Sequence, residues 1–266
     1  MDIRIVKCKS LLVRSKLPES SYSINPYIGC SHGCIYCYAR FMKRFVDNDR
    51  KWGDFVWVKI NAAEVLKKEL LKRPKKGLVV ISSVTDPYQP IEKRYMMTRS
   101  ILKLLLKYDF PISILTKSDL VIRDIDLLRR FSRCEVGLTI TTIDEKISKD
   151  FEPRAPSPLQ RIKALEKIHQ YGIKTYAFIG PILPGLTNLN DIFSKLKGKV
   201  DFVMAEALNT KCGNVSDIEN VLERNYHQLL ELYRYKLNMR YWRKVRDSLV
   251  KICKKTNIPL KGFYIH

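Results

Sequence analysis

The sequence of 266 residues contains no run of 18 consecutive apolar residues, so no segment resembles a membrane-spanning helix. Its first residues, MDIRIVKCKS, lack the apolar central region of a secretory signal, and we therefore expect a cytoplasmic protein. Low-complexity linkers and internal repeats are also absent from the sequence. An apolar fraction of 45% and a charged fraction of 29% are typical of a globular protein.

Acidic residues are scarce, because 27 Asp and Glu oppose 49 Lys and Arg and leave a formal net charge of +22. This excess favours a polyanionic partner, with nucleic acid as the first candidate. A protein that is simply rich in lysine would show the same balance, and charge by itself identifies no substrate. We take a nucleic acid or nucleotide as the expected partner.

The pattern of short apolar runs predicts an α/β fold. Near-continuous apolar character is typical of strands buried on both faces of a parallel sheet. Five clear runs and a weaker first one alternate with helical stretches; they span 22–28, 78–84, 112–116, 136–142, 173–182 and 200–208. Six strand–helix units form either a doubly wound sheet or a partial TIM-like barrel. Both place the active site at the carboxyl ends of the strands.

The sequence also marks helix ends. Asn61 predicts the start of one helix, and Ser157 with Gln160 predicts a capping box at the start of another. Further helices are expected near 97–107, 122–131, 144–150 and 189–197.

The C-terminal part of the chain differs from the rest. From Arg224 to Lys255 it is predicted to be helical and carries ten Lys or Arg against Glu231 and Asp247. Five aromatic residues are interleaved with these charges: Tyr226, Tyr233, Tyr235, Tyr241 and Trp242. They form either a basic, aromatic surface for a phosphate backbone and its bases, or core contacts beneath solvated charges. We expect a barrel of residues 1–210 and a basic, mainly helical extension of residues 211–266 packed on it.

Three of the seven cysteines lie close together, at Cys30, Cys34 and Cys37. The odd number and the lack of a secretion signal argue against a disulfide framework. The spacing C-x3-C-x2-C suits one [4Fe–4S] cluster, and three thiolates would leave one iron open. A structural zinc site would instead need His32 or a distant cysteine as its fourth ligand. A redox dithiol of Cys34 and Cys37 would leave Cys30 unexplained.

The motif NPYIGCSHGCIYCYAR, with Tyr36 just before the third cysteine, resembles the signature of the radical S-adenosylmethionine (radical SAM) superfamily. Four further segments resemble its spore photoproduct lyase-like branch, over approximately residues 20–210: SSVTDPYQPIE, LTKSDLVIRDIDLL, FEPRAPSPLQRIKAL and GPILPGLTN. The resemblance implies a partial (β/α)6 TIM-like barrel, a [4Fe–4S] cluster, S-adenosylmethionine, a reducing partner protein and a lyase-like radical reaction on nucleic acid. Radical modification of a protein or peptide is the alternative, and a non-catalytic iron–sulfur or zinc module is another.

Carried over residue by residue, the resemblance makes Cys30, Cys34 and Cys37 the metal ligands. Tyr36 would approach the adenine through its backbone. The segment Ser83-Val84-Thr85-Asp86 stands where many relatives have a Gly-Gly-Glu that holds the methionine ammonium group. The resemblance therefore implies that Ser83, Thr85 and Asp86 bind S-adenosylmethionine, with Asp86 keeping the carboxylate.

The resemblance implies further cofactor contacts from later strands. Lys117 follows the run 112–116, and Thr139 and Thr141 lie where contacts to the ribose or carboxylate are usual. Arg154 could pair with the methionine carboxylate, since its fork fits that geometry, or it could be a surface residue. Ile182 would pack on the adenine or lie in the core.

Two residues are candidates for returning a hydrogen atom to the product. In spore photoproduct lyase a cysteine outside the cluster does this, assisted by tyrosines. Tyr38, like Tyr36, flanks Cys37, and we take Tyr38 as a catalytic candidate. Cys212 follows the last strand run, on the expected side of a barrel, and is the matching cysteine candidate.

Overall fold

Two β-sheets carry the fold in the described part of the chain, which comprises residues 1–17, 19–46 and 50–266 of a computed structural model. The strands are β1 (Asp2–Val6), β2 (Val13–Arg14), β3 (Tyr22–Ile24), β4 (Tyr27–Ile28), β5 (Phe55–Lys59), β6 (Val79–Ile81), β7 (Ile112–Thr116), β8 (Cys134–Thr139), β9 (Lys174–Ile182), β10 (Phe202–Ala207) and β11 (Leu260–Tyr264).

Helices connect most of these strands. They are α1 (Ala62–Leu71), α2 (Glu92–Tyr95), α3 (Met97–Lys107), α4 (Ile125–Leu128), α5 (Glu145–Phe151), α6 (Pro158–Gln170), α7 (Leu189–Leu196), α8 (Val215–Asn225) and α9 (Met239–Thr256). Segments Tyr38–Phe45, Asp119–Asp124 and His227–Leu229 are 3-10 helical, and Leu232–Lys236 is a π-helical turn.

The larger sheet forms a partial barrel of the expected α/β type. Its strand order is β11-β10-β9-β8-β7-β6-β3-β2. Every neighbouring pair from β3 to β11 is parallel, and only β2 at the edge is antiparallel to its neighbour. Strands that follow one another along the chain therefore lie side by side, as helical crossovers favour. The predicted fold class is confirmed, and β11 in the C-terminal extension pairs with β10 as a further parallel strand.

The strands are apolar because both of their faces are covered. Ile81, Ile114 and Val203 on three strands are fully buried, as are Leu66 on α1 and Leu165 on α6. Removing a fully buried leucine side chain from such a core costs about 2–5 kcal/mol of folding free energy. The sheet therefore gives a rigid base to the loops at its carboxyl edge.

The structure confirms some of the predicted helix ends and differs from the prediction at others. The capping box is present, since the Ser157 hydroxyl accepts from the Gln160 amide and the Gln160 side chain accepts from the Ser157 amide. Asn61 precedes α1 as predicted, but its side chain exchanges hydrogen bonds of 2.8 and 2.9 Å with the backbone of Cys8 instead of capping the helix. Residues 122–131 form a 3-10 turn and the short α4, with buried Asp124 binding two arginines at the junction.

The C-terminal extension contains the helices α8 and α9, with a 3-10 turn and a π-helical turn between them. Helix α8 ends at Asn225, and Asn238 caps the start of α9 through a 3.1 Å hydrogen bond from the Tyr241 amide. Tyr226 and Trp242 are buried, so these two interleaved aromatic residues make core contacts.

Among described residues, no helix combines the length and apolar character that a membrane crossing needs.

The smaller sheet, ordered β1-β5-β4, holds the segment before the cysteine motif. Tyr27 in β4 is fully buried, and its hydroxyl donates a hydrogen bond to Glu92 of α2. Glu92 is also buried and accepts from the Thr98 amide at 3.0 Å and from Arg123 at 2.8 Å. This network fastens β4, and hence the start of the cysteine loop, to the barrel.

Candidate active site

The cysteine loop follows β4 and depends on glycine. Gly29 and Gly33 have φ angles of +83° and +62°, a region that favours glycine. A Cβ atom on Gly29 would lie 2.5 Å from the Phe55 carbonyl oxygen, and one on Gly33 would lie 2.5 Å from the Arg154 guanidinium. The loop therefore packs its backbone directly against β5 and against Arg154.

The three cysteines of the motif line one cavity. Cys30 and Cys34 are 8% and 6% exposed, and Cys37 is partly buried. Burial raises the pKa of all three thiols, that of Cys34 to about 12. For Cys30, the neighbouring Asp86, Cys34 and Cys37 raise the pKa further. Thiolates at these buried positions are therefore unfavourable unless a cation stabilises them, and a metal centre provides that positive charge.

These residues fit a three-ligand iron–sulfur cluster. All seven cysteines are free of disulfides, and the motif's thiols face the cavity. Within the described ranges, no three His, Cys, Asp or Glu side chains converge on a single-ion position. A [4Fe–4S] cluster needs no such convergence, because each thiolate binds a different iron. His32, the possible zinc ligand, is buried with its Nδ1 atom 3.4 Å from an Asp86 carboxylate oxygen.

The carboxyl ends of five neighbouring strands form the other walls of this cavity. The lining residues from these strands and the loops after them are Ser82, Ser83, Val84, Thr85, Asp86, Leu115, Thr116, Lys117, Thr139, Phe178, Gly180, Pro181, Glu206 and Asn209. Tyr36, Tyr38, Ala39 and Trp52 complete the lining near the cysteine loop. The arrangement confirms that the polar residues after the strands lie together at one edge of the sheet.

Asp86 connects three elements of the site. Its carboxylate accepts hydrogen bonds from the Thr116 hydroxyl at 2.6 Å and the Lys117 amide at 2.8 Å. Burial alone would raise the pKa of Asp86, but His32 and these hydrogen bonds outweigh it and lower the pKa to about 2. Asp86 is therefore an anion that faces the cysteine loop.

The loop after β6 also binds the cysteine loop directly. The Thr85 hydroxyl donates to the Gly29 carbonyl at 2.5 Å, and the Gln89 side chain accepts from the Ser31 amide at 2.9 Å. Asn25 accepts from the Ser83 amide at 2.9 Å. Because these contacts join β3, β4 and β6, the position of the cysteine loop follows from the barrel itself.

A buried network of charged residues anchors the Tyr36 side chain. Its hydroxyl donates to Glu152 and lies 3.2 Å from the Thr141 hydroxyl. Glu152 forms an ion pair with Arg161, which is fully buried and donates to the Thr139 carbonyl at 3.1 Å. Burial raises the pKa of Glu152, but Arg161, Lys117 and the Tyr36 hydroxyl outweigh it and lower the pKa to about 2. The ring of Tyr36 therefore has one fixed orientation between two of the motif cysteines.

The sequence model of the radical SAM superfamily matches residues 24–192, which include the cysteine motif and most of the barrel. The chain belongs to the radical SAM superfamily. Members of this family use a [4Fe–4S] cluster and S-adenosylmethionine. Cys30, Cys34 and Cys37 have the spacing and the shared cavity that fit such a cluster.

Two sequence relatives illustrate how widely the family likeness extends. An uncharacterized protein of Methanocaldococcus jannaschii is 41% identical over 266 residues, which cover 100% of this chain and 98% of that one. A radical SAM Nalpha-GlyT isomerase of Pseudomonas phage M6 is 27% identical over 168 residues, 63% of this chain and 34% of the phage protein.

Solved structures of radical SAM enzymes share the fold. A spore photoproduct lyase with bound S-adenosylmethionine and dinucleoside spore photoproduct has a TM-score of 0.69 at 17% identity, covering 99% of this chain and 81% of the lyase. Streptococcus suis SuiB bound to its precursor peptide has a TM-score of 0.56 at 15% identity, covering 92% and 48%. The lyases thus match the branch that the sequence resembles, and at this identity the likeness concerns the fold.

The structure brings most of the sequence-predicted cofactor contacts to the cavity. Those that line it are Tyr36, Ser83, Thr85, Asp86, Lys117 and Thr139, and the catalytic candidate Tyr38 lines it as well. The Lys117 ammonium lies 5.5 Å from the centre of the Tyr36 ring. Burial would lower the pKa of Lys117, but Cys34 and Glu152 raise it, so the side chain stays cationic. Thr141 and Ile182 are buried behind the lining, Thr141 beneath Tyr36 and Ile182 in the main core.

Arg154 lies in a different place from the one expected of a cofactor ligand. Its guanidinium packs across Gly33 and Gly53 and forms a 2.9 Å ion pair with Asp54. Both partners of this pair are more than 40% exposed. The described cavity lining does not include Arg154. The surface alternative therefore describes its position better, and its contacts support the back of the cysteine loop.

Cys212 lies in the loop after β10 and is not among the described residues that line the cavity. Its thiol donates to the Asn209 carbonyl at 3.4 Å, and Asn209 itself lines the cavity. Cys212 is close enough to Cys37 to raise the pKa of that thiol. Arg40 ties the loop to the cysteine motif by donating to the Gly213 carbonyl at 2.9 Å and the Ile35 carbonyl at 2.8 Å.

Sequence reasoning missed several residues that line the cavity. Glu206 and Asn209 come from β10 and the loop after it, and Trp52 and Phe178 add aromatic surface. Glu206 forms a 2.8 Å hydrogen bond with His266. A signal for Glu206 was available, because it is a carboxylate within the apolar run 200–208 near its carboxyl end. Trp52 offered no such signal, since it lies outside the strand pattern.

Proposed function

We propose that the protein cleaves S-adenosylmethionine reductively and uses the resulting radical on a nucleic acid or nucleotide. The observation that carries the proposal is the single cavity lined by three motif cysteines and by the polar carboxyl ends of five strands. The net charge of +22 supports the choice of a polyanionic substrate. The structural likeness to lyases with bound dinucleoside spore photoproduct agrees with this choice.

When bound, the cluster and S-adenosylmethionine supply a 5′-deoxyadenosyl radical that abstracts a hydrogen atom from the substrate. Cys30, Cys34 and Cys37 hold the cluster. Asp86, as an anion beside the cysteine loop, holds the methionine ammonium group with Ser83 and Thr85. The cationic Lys117 holds the methionine carboxylate.

Thr139 would bind the ribose, and the backbone of Tyr36 would bind the adenine. The Glu152–Arg161 ion pair keeps the Tyr36 ring in place. Phe178 and Pro181 add apolar surface to the cavity lining.

Cys212 and Tyr38 complete the proposed reaction. The Cys212 S–H bond breaks homolytically and its hydrogen atom forms the new C–H bond of the product. The radical left on sulfur is reduced by one electron and one proton, with the Tyr38 phenol as relay and a reducing partner protein as electron source. Burial raises the pKa of Cys212 and keeps it a thiol, the form that donates hydrogen. We also propose a cytoplasmic location, because cluster ligands need a reducing compartment.

Isotope transfer tests the substrate class. Anaerobically reconstituted, reduced protein is incubated with S-adenosylmethionine and deuterated candidate substrates, and 5′-deoxyadenosine is analysed by mass spectrometry. Deuterium from an oligonucleotide or nucleotide is the expected result. Deuterium from a peptide alone would replace the substrate assignment with the class represented by SuiB. A protein that binds no S-adenosylmethionine would contradict the proposed reaction as a whole.

Salt dependence gives a second test of the same assignment. Because phosphate contacts release counterions, binding of a labelled oligonucleotide should weaken steeply between low and physiological salt. Affinity that does not change with salt would contradict a role for the positive charge.

A further inference from the structure

A second cavity lies in the C-terminal extension, outside the site described above. It has a volume of about 350 Å³ and is lined by Thr210, Val215, Ile218, Glu219, Tyr233, Arg234 and Tyr235. Small-molecule sites are typically about 300–1,000 Å³, so this volume is enough for one planar ring system. We call it the tyrosine cavity.

Its two tyrosines differ from the other aromatic residues of the extension. Tyr235 is 78% exposed, the highest exposure among the large apolar side chains described, whereas Tyr226 and Trp242 pack into the core. The hydroxyl of Tyr233 is buried and has no hydrogen-bond partner among the described residues. A buried tyrosine hydroxyl usually has a partner, so Tyr233 is a residue of the cavity wall with an unsatisfied hydroxyl.

The walls of the tyrosine cavity are rigidly held. Both tyrosines belong to the π-helical turn Leu232–Lys236, a geometry that is rare and frequent at functional sites. Arg234, between them, donates to Glu219 at 2.8 Å and to Glu223 at 3.0 Å, both on α8. These two ion pairs fix the turn against α8, and the single guanidinium offsets one of the two negative charges.

The tyrosine cavity is joined to the active site through consecutive residues. Asn209 lines the active-site cavity and Thr210 lines the tyrosine cavity. The loop that holds both is fastened to the cysteine motif, because Asn214 donates to the Tyr36 carbonyl at 2.8 Å. A ligand that occupies both cavities must therefore extend along this loop.

We propose that the tyrosine cavity binds the nucleobase next to the reacting nucleotide of a single-stranded nucleic acid. The base stacks on the Tyr235 ring, and a polar atom on the edge of the base forms a hydrogen bond with the Tyr233 hydroxyl. The surrounding extension, residues 211–266, carries 12 Lys or Arg against five Asp or Glu, which complements a phosphate backbone. Aromatic stacking beside positive charge is how proteins hold single strands without sequence preference. This inference rests on the nucleic-acid substrate proposed above.

The test measures binding of a fluorescein-labelled, mixed-sequence single-stranded DNA of about eight nucleotides, a length within the range that single-strand binding sites cover. Fluorescence anisotropy is recorded with reconstituted protein at low salt. Tyr235→Ala should weaken binding about tenfold, whereas Tyr235→Phe should bind like wild type because it keeps the stacking face. Tyr233→Phe should weaken binding less than Tyr235→Ala does. Tyr171→Ala is the matched control, since Tyr171 is 49% exposed and lies beyond the end of α6.

A mononucleotide probe separates the tyrosine cavity from the active site. It should compete equally well in wild type and in Tyr235→Ala, because it occupies only the active site. Equal binding of the oligonucleotide by wild type and Tyr235→Ala, at equal iron content, would overturn the tyrosine cavity alone. Wild-type protein that binds neither probe but transfers deuterium from a peptide would overturn both this inference and the proposed substrate.

Discussion

Asn214 donates a hydrogen bond of 2.8 Å from its side-chain amide to the backbone carbonyl of Tyr36, across 178 residues of sequence. The same amide donates to the Asn209 carbonyl at 2.9 Å, and Asn214 is fully buried. The loop that carries Cys212 is thereby attached to the loop that carries the three motif cysteines. The position of Cys212 beside the site is therefore set by the fold of two distant segments.

The first prediction concerns Cys212. Cys212→Ala should keep the iron content and the formation of 5′-deoxyadenosine, because neither the cluster ligands nor the cavity lining changes. It should alter the product, since the substrate radical would lose its hydrogen donor. Product analysis by mass spectrometry checks this, with Cys134→Ala as control. An unchanged product from the Cys212 variant would remove the residue from the mechanism.

The second prediction concerns the cluster. Reconstituted wild-type protein should bind about four iron atoms per chain, as a [4Fe–4S] cluster requires. Replacing Cys30, Cys34 and Cys37 together with alanine should abolish this binding. Cys253→Ala, which changes a buried cysteine outside the motif, should bind iron like wild type. Iron analysis and the visible absorption spectrum measure the outcome, and a chain that takes up one zinc and no cluster would contradict it.

The third prediction separates Lys117 from Arg154. Lys117→Gln should weaken S-adenosylmethionine binding at least tenfold, because a hydrogen bond to a charged group contributes about 1.5–3 kcal/mol. Arg154→Gln should bind the cofactor nearly as wild type does, since Arg154 pairs with Asp54 away from the cavity. Anaerobic calorimetry at equal iron content measures both affinities. The opposite ranking of the two variants would restore Arg154 as the carboxylate ligand.

The fourth prediction concerns Glu152 and pH. The pKa of Glu152 is lowered from its ordinary 4.5 to about 2, so its charge contributes stability that is complete above pH 4.5 and is lost as the pH falls towards 2. Glu152→Gln leaves Arg161 buried without its anion and should cost about 3–5 kcal/mol of unfolding free energy at pH 7. The difference from wild type should shrink as the pH is lowered from 7 to 3.

Urea unfolding of the cluster-free chain, followed by circular dichroism, measures this difference. Glu145→Gln, which changes an exposed carboxylate at the start of α5, the helix that ends just before Glu152, is the control and should follow wild type. A Glu152 variant that follows wild type at every pH would mean that Arg161 has found another partner.

The sequence alone determined the ligand motif and the fold class. The motif consists of three cysteines within eight residues, with Tyr36 before the third. These local features are visible in the sequence without any knowledge of tertiary contacts. The apolar runs predicted the parallel strands because burial on both faces leaves a continuous apolar pattern. Since parallel strands share one carboxyl edge, the sequence could also indicate that Asp86, Lys117 and Thr139 lie near one another.

Tertiary structure decided what each of these side chains faces. Arg154 has the same sequence context whether it points to a cofactor or packs over Gly33, and only the close approach of the two loops selects the second. Glu152 and Arg161 pair because α5 and α6 bring them together under Tyr36. Charge and spacing along the chain do not encode such contacts, because they arise between elements whose distance is fixed only when the barrel is packed.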